Sequence, residues 1–179
     1  MHESELEASW EQGLVELVRT ALKVEHASMQ HCRHEVERLR HAALASALIA
    51  IAEHAEGTLG ELPSVAVRDG LPDGLRESAS ELLVLAELRD RIADLLVQDD
   101  RAYRATLLQL RQGADAIRSV YTVARAARKA ALQEFCTAWL ATRSALIEQA
   151  ESELLWFMQR SAATGRASNV GQDESSGSE

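Results

Sequence analysis

Aromatic side chains are scarce in this sequence, with three Trp, two Tyr and two Phe among 179 residues. A core built on stacked rings is therefore excluded, and aliphatic residues must supply most of the buried surface. Proline is scarcer still, at Pro63 and Pro72 only, and seven of the nine glycines fall within residues 57–74 or in the C-terminal stretch 163–179. Long segments thus lack any strong chain breaker. Cysteine is limited to Cys32 and Cys136, far apart and without CxxC spacing, which argues against a zinc knuckle or a disulfide framework. Basic residues are outnumbered by acidic ones, 19 against 28, and the net charge of −9 disfavours a general nucleic-acid binder. The longest apolar run, Ala42 to Ala52, is far shorter than the roughly 20 residues that cross a bilayer. The acidic first dozen residues carry no apolar core of a secretory signal, so a soluble, cytoplasmic protein is expected.

What the chain does contain is Ala, Leu, Glu, Arg and Gln, all strong helix formers. Apolar positions Leu6, Trp10, Leu14, Leu17, Ala21 and Val24, then Met29, Cys32, Val36, Leu39 and Ala43, recur in steps of three and four with one slip. This predicts a first helix over residues 3–57, ended by Gly57 in a left-handed conformation. Segment 57–74 holds both prolines and four glycines and reads as a loop. The stripe resumes from Leu75 and runs without proline to Leu154. Such a length must fold back on itself, either at Gln98-Asp99-Asp100 or, preferably, at Gln112-Gly113-Ala114-Asp115. The expected fold is all-α: an elongated antiparallel bundle in one domain, residues 1–162, with helices near 3–57, 75–112 and 115–162 in up-down-up order. Residues 163–179 are small, polar and acidic, the composition of a disordered tail.

Four patterns bear on function. In the first, histidines crowd the predicted first helix: His26, His31, His34 and His41 alternate with Glu25, Glu35 and Glu37, and His54 follows. Helical spacing allows His31, His34 and Glu35 to converge, or His34, Glu37 and His41, and imidazole with carboxylate suits zinc, iron or manganese, with His31, His34, His41 and Glu37 the candidate ligands. The blander reading leaves them on a solvated face beside Met29, Cys32, Val36 and Leu39. Glu-x-x-His, required by ferritin-like di-iron bundles, does not occur.

Second, Arg104, Arg111, Arg118 and Arg125 recur every seven residues. A heptad seam of this kind pairs with glutamates of a neighbouring helix, for which Glu11, Glu16 and Glu25 are available, or docks an acidic partner. Third, Trp156 and Phe157 lie in an aromatic patch of the last helix that either packs on the loop or meets a partner. Fourth, Asp99 and Asp100 interrupt the stripe as a turn or cap, or as an acid pair of a helical enzyme. No phosphate-binding glycine loop, nucleophile elbow or HExxH motif is present.

The run LRDRIADLLVQDDRAYRATLLQLRQGADAIRSV, residues 88–120, follows an early helix and a loop. In this layout, over about residues 14–120, the chain resembles flagellar export chaperones of the FlgN type, a resemblance that implies a helical protein holding other proteins. The same run is similar to part of the helical cyclodeaminase domain of folate metabolism, whose glycine-rich N-terminal motif is missing here. Both likenesses rest on heptad pattern and transfer no residue role. The leading expectation is a non-enzymatic interaction module, without cofactor, that binds a protein partner or itself as a homo-oligomer. The alternative is a metal-binding or ferritin-like bundle.

Overall fold

A computed structural model of the chain describes residues 2–39, 42–75 and 99–170, with side chains placed for most of them. It is helical, as the periodicity requires: α1 spans His2–Leu39, α2 Ala42–Arg68, α3 Asp99–Ala126 and α4 Ala130–Val170. Helix α1 packs on α2 and α3, and α4 packs on the same two, so the four helices form a square with α1 opposite α4.

Side-chain pairs fix the directions. Arg33 of α1 meets Glu56 of α2 at 2.8 Å, while Leu14 to Leu22 share a cluster with Leu62 to Ala66, so α1 and α2 are antiparallel. Lys129, just after α3, reaches Glu11 at 2.8 Å, and Thr106 reaches His31 at 2.8 Å, so α1 and α3 are antiparallel as well. Gln133 reaches Ala124 O at 3.4 Å and Tyr103 reaches Ala150 O at 3.0 Å, and Trp139 meets Thr58 while Gln149 meets Ser46, so α4 opposes both α3 and α2. The order is therefore up-down-down-up rather than up-down-up. Helices α2 and α3 run in the same direction, and the chain from Leu75 to Asp99 joins opposite ends of the bundle, the single-crossover topology of some four-helix bundles. Residues 76–98, where the start of the expected second helix falls, lie outside the described residues.

The predicted boundaries change for physical reasons. A helix over residues 3–57 would stand about 80 Å long with no partner; instead α1 ends at Leu39 and the chain returns as α2, each half burying the other's stripe. The expected loop 57–74 is helical as far as Arg68 because the stripe Leu48, Ile51, Ala55, Thr58, Leu62, Val65 continues through it, and all six are buried. Gly57 and Gly60 fall on the exposed side, where a glycine costs about 1 kcal/mol and does not end a helix that gains this much burial. Pro63 stands inside α2 and forfeits one backbone bond to the preceding turn. The left-handed cap is Gly70, at φ 85°, with Leu71 N–H donating to Ala66 O at 3.0 Å.

Gly113 likewise lies within α3, and the second turn comes at residues 127–129. There Arg128 takes φ 57° and Lys129 N–H donates to Ala124 O at 2.8 Å. Helix α4 extends through Val170 and so includes the first part of the stretch expected to be disordered; residues 171–179 lie outside the described residues.

Two apolar clusters fill the interior. One, around Leu14, Val18, Leu62, Ile117 and Leu132, sits at the end that carries the Gly70 cap and the turn at 127–129, and the other, around Cys32, Leu48, Ile51, Leu110 and Ile147, at the opposite end. Between them every helix places something other than a large apolar side chain: Glu25 and Ser28 on α1, Thr58 on α2, Gly113 on α3 and Arg143 on α4.

Candidate functional site: a polar layer inside the bundle

Glu25 and Arg143 are each 1% exposed, and Arg143 Nη2 donates to Glu25 Oε2 at 2.5 Å across the diagonal from α4 to α1. Arg143 Nε donates to His54 Nδ1 at 3.2 Å, and its guanidinium carbon lies 4.7 Å from the centre of the Trp139 ring. Trp139 Nε1–H donates to Thr58 Oγ1 at 2.9 Å, and the Thr58 hydroxyl in turn donates to His54 O at 2.8 Å. Three helices thus hold one network, in which the indole is braced by the cation on its face and by Thr58 at its N–H.

Burial works against both charges of the central pair. It raises the Glu25 carboxyl above the ordinary range and lowers Arg143, while each partner's charge opposes the effect on the other. Arg143 starts so far above neutrality that it stays a cation. For His54, burial and then the Arg143 charge push the pKa down to about 4, so the ring is neutral at physiological pH. Because Nδ1 accepts from Arg143, the ring proton sits on Nε2.

A groove of about 440 Å³ runs along the outer side of the α2–α4 seam above this network, with His54, Gly57, Thr58, Trp139 and Thr142 among its walls. Its volume is within the range of small-ligand sites. The chemistry on offer is limited: Thr58 is engaged as donor and acceptor, the indole N–H is bound, and a neutral histidine held by a guanidinium is a poor base. The network is suited to fixing helix register.

The residues singled out by pattern are dispersed. His31 bonds the buried Thr106 hydroxyl, while His34 and Glu37 point into solvent on other faces of α1. His41 lies outside the described residues. Among the described residues no group of three or more His, Cys, Asp or Glu side chains converges on a point that could hold a metal ion. His54, expected only as a follower of that cluster, is instead the histidine of the polar layer. Cys32 and Cys136 are buried free thiols, both pushed up to about 12 by desolvation. Asp99 and Asp100 stand at the first positions of α3.

The heptad arginines face outward. Arg111 pairs with Glu151 of α4 at 2.7 Å and Arg118 with Asp115 of its own helix at 2.6 Å, while Arg104 and Arg125 are exposed. The glutamates expected to meet them are engaged elsewhere: Glu11 with Lys129, Glu16 with Arg19 and Glu25 with Arg143. Beside the Arg111–Glu151 pair, Leu108 is 59% and Leu155 60% exposed. Leu108 lies one turn before Arg111 and Leu155 one turn after Glu151. Both therefore lie exposed on the same outer face of α3 and α4 as that ion pair. Trp156 and Phe157 follow in α4, with side chains outside the described residues.

Pattern reading missed Arg143 and Glu25 as core residues, although both left a trace. Arg143 occupies a stripe position between Trp139 and Ile147, and Glu25 lies at the one slip in the α1 stripe, between Val24 and Met29. Among the described residues no helix is long and apolar enough to cross a membrane. Comparison with protein-family models, with characterised proteins and with solved structures finds no match.

Proposed function

We propose that the protein is a non-enzymatic helical interaction module that binds a second protein chain through the outer face of α3 and α4, with a second copy of itself as the simplest partner. The observation that carries this reading is the exposure of Leu108 and Leu155, each more than half exposed, on the same outer face of α3 and α4 as the Arg111–Glu151 ion pair. Large aliphatic side chains exposed on one face of a helix pair, with charges beside them, are the usual composition of a helix-docking surface. Arg104 and Arg118 extend the charged edge, where they would set partner orientation more than affinity. A cytoplasmic setting fits two free, buried thiols.

A photo-reactive residue placed at position 108 tests the reading against one placed at Glu61, on the outer side of the α2–α4 seam. Adducts from position 108 and none from 61 are expected. Equal yields from both, or none from 108, would overturn it.

A further inference from the structure

The groove along the α2–α4 seam has a shape and a charge pattern that the polar layer beneath it does not require. Facing positions on these antiparallel helices are fixed by two bonded pairs, Thr58 with Trp139 and Ser46 with Gln149. The same register places Gly57 level with Ala138 and Glu61 level with Glu134, the members of each pair on opposite walls of the groove. Gly57 is exposed, has no positive φ, and a Cβ built on it would meet nothing within 4 Å. Neither close packing nor backbone conformation therefore requires glycine here, although it weakens the helix relative to alanine. Its effect is space. With only a hydrogen and a methyl facing each other, the seam opens into about 440 Å³, walled on one side by the half-buried Phe135 and, one turn on, by Trp139.

One turn from Gly57 and Ala138, towards the end that carries the turn at 127–129, Glu61 and Glu134 stand exposed on the two walls. Neither carboxylate has an ion-pair or hydrogen-bond partner among the described residues. Two carboxylates across one groove focus a negative potential into it and favour a cation there. Arg68, two turns beyond Glu61 on α2, lines the far end and repels a second positive charge. We propose that this groove binds a small organic monocation, a molecule with one ammonium group and a flat apolar body. The ammonium sits between Glu61 and Glu134, close to the Phe135 ring, whose face adds a cation–π attraction. The body lies over Gly57 and Ala138. The step between the two levels is about 6 Å, the reach of a two-carbon chain that carries a ring. The site is separate from the outer face of α3 and α4 and does not depend on the interaction assigned to that face.

Tryptamine and phenylethylamine, titrated into the full chain and read by saturation-transfer NMR, test the proposal, with indole-3-propionate and spermidine as counter-probes. Both amines should bind saturably in the millimolar range or tighter, the propionate should not bind, and spermidine should bind more weakly than tryptamine. Glu61→Gln/Glu134→Gln, which keeps the shape of the groove, should weaken tryptamine binding roughly tenfold. Gly57→Leu fills the groove with a better helix former, so it should abolish binding while Tm stays the same or rises. If Gly57→Leu melts lower than the parent, the glutamine pair alone decides. Absence of saturable binding of either amine overturns the proposal, as does equal binding of the propionate. Spermidine binding as tight as that of tryptamine, or unchanged tryptamine affinity in the glutamine pair or in a folded Gly57→Leu chain, overturns it equally.

Discussion

Arg143 and Glu25 show how the value of a buried charge depends on its partner. Removing one side of the pair, as in Glu25→Gln or Arg143→Met, leaves the other uncompensated and is expected to cost about 3–5 kcal/mol in denaturant melts. The double variant Glu25→Met/Arg143→Met should recover most of that loss, because the apolar clusters on either side can close over the layer. Equal, additive losses would mean that the two side chains act independently. His54 gives a pH signature. Its folded pKa, near 4, lies below the ordinary histidine value, so the unfolded chain binds the extra proton first. The contribution of His54 is complete above about pH 6.5 and is lost as the pH falls towards 4. Glu25 and Glu153, whose carboxyls are raised by burial, act in the opposite sense as the pH falls. The clean comparison is with His54→Gln, which keeps an acceptor for Arg143, and its Tm should fall less than that of the parent between pH 7 and pH 5. Parallel curves would contradict the assignment. Both charges were visible in the sequence only as defects of an apolar stripe, and periodicity cannot say whether a defect faces outward or finds a buried partner on a helix more than a hundred residues away.

Helix identity was legible over most of the described residues, from the three- and four-residue spacing of Leu, Ile, Val and Ala, but not over 57–68, read as a loop, or 163–170, read as disordered. Helix ends were not. The chain turns between Leu39 and Ala42 and at residues 127–129, where there is neither glycine nor proline, and it stays helical through Gly57, Gly60, Pro63 and Gly113. Burial of a continuous stripe outweighs local propensity in the second group, and packing of antiparallel partners imposes the turns in the first. The cost of the second turn falls on Arg128, held at φ 57°. Arg128→Gly is expected to stabilise the protein by about 1 kcal/mol in chemical denaturation, and no change would mean that the side chain's own contacts offset the strain. The next helix is capped across the bundle: the Asp69 carboxylate accepts from the N–H groups of Ala131 at 3.2 Å and Leu132 at 2.7 Å. Asp69→Ala should lose about 1–2 kcal/mol, with Asp69→Asn retaining part of it. No sequence window could have revealed this cap, since donor and acceptor are separated by some sixty positions.

At the scale of the whole molecule, the polar layer explains why one arrangement of four similar amphipathic helices is selected. Sliding any helix by one turn would bury Arg143 or Glu25 against apolar side chains, so the layer sets register and, with it, the outer faces. One consequence is that Leu108 and Leu155 are exposed on the same outer face as Arg111 and Glu151. The expected arginine seam was legible from its seven-residue period, but its partners were not, because the topology turns α3 so that these arginines face solvent and α4. Function through that face is most directly examined by light scattering on a size-exclusion column over a wide concentration range, for the parent chain and for Leu108→Glu/Leu155→Glu. The parent should approach twice the chain mass as concentration rises, while the variant, folded and of unchanged helicity, should stay at the mass of one chain. A parent that remains monomeric at every concentration, or a variant that associates as strongly as the parent, would contradict assembly through α3 and α4.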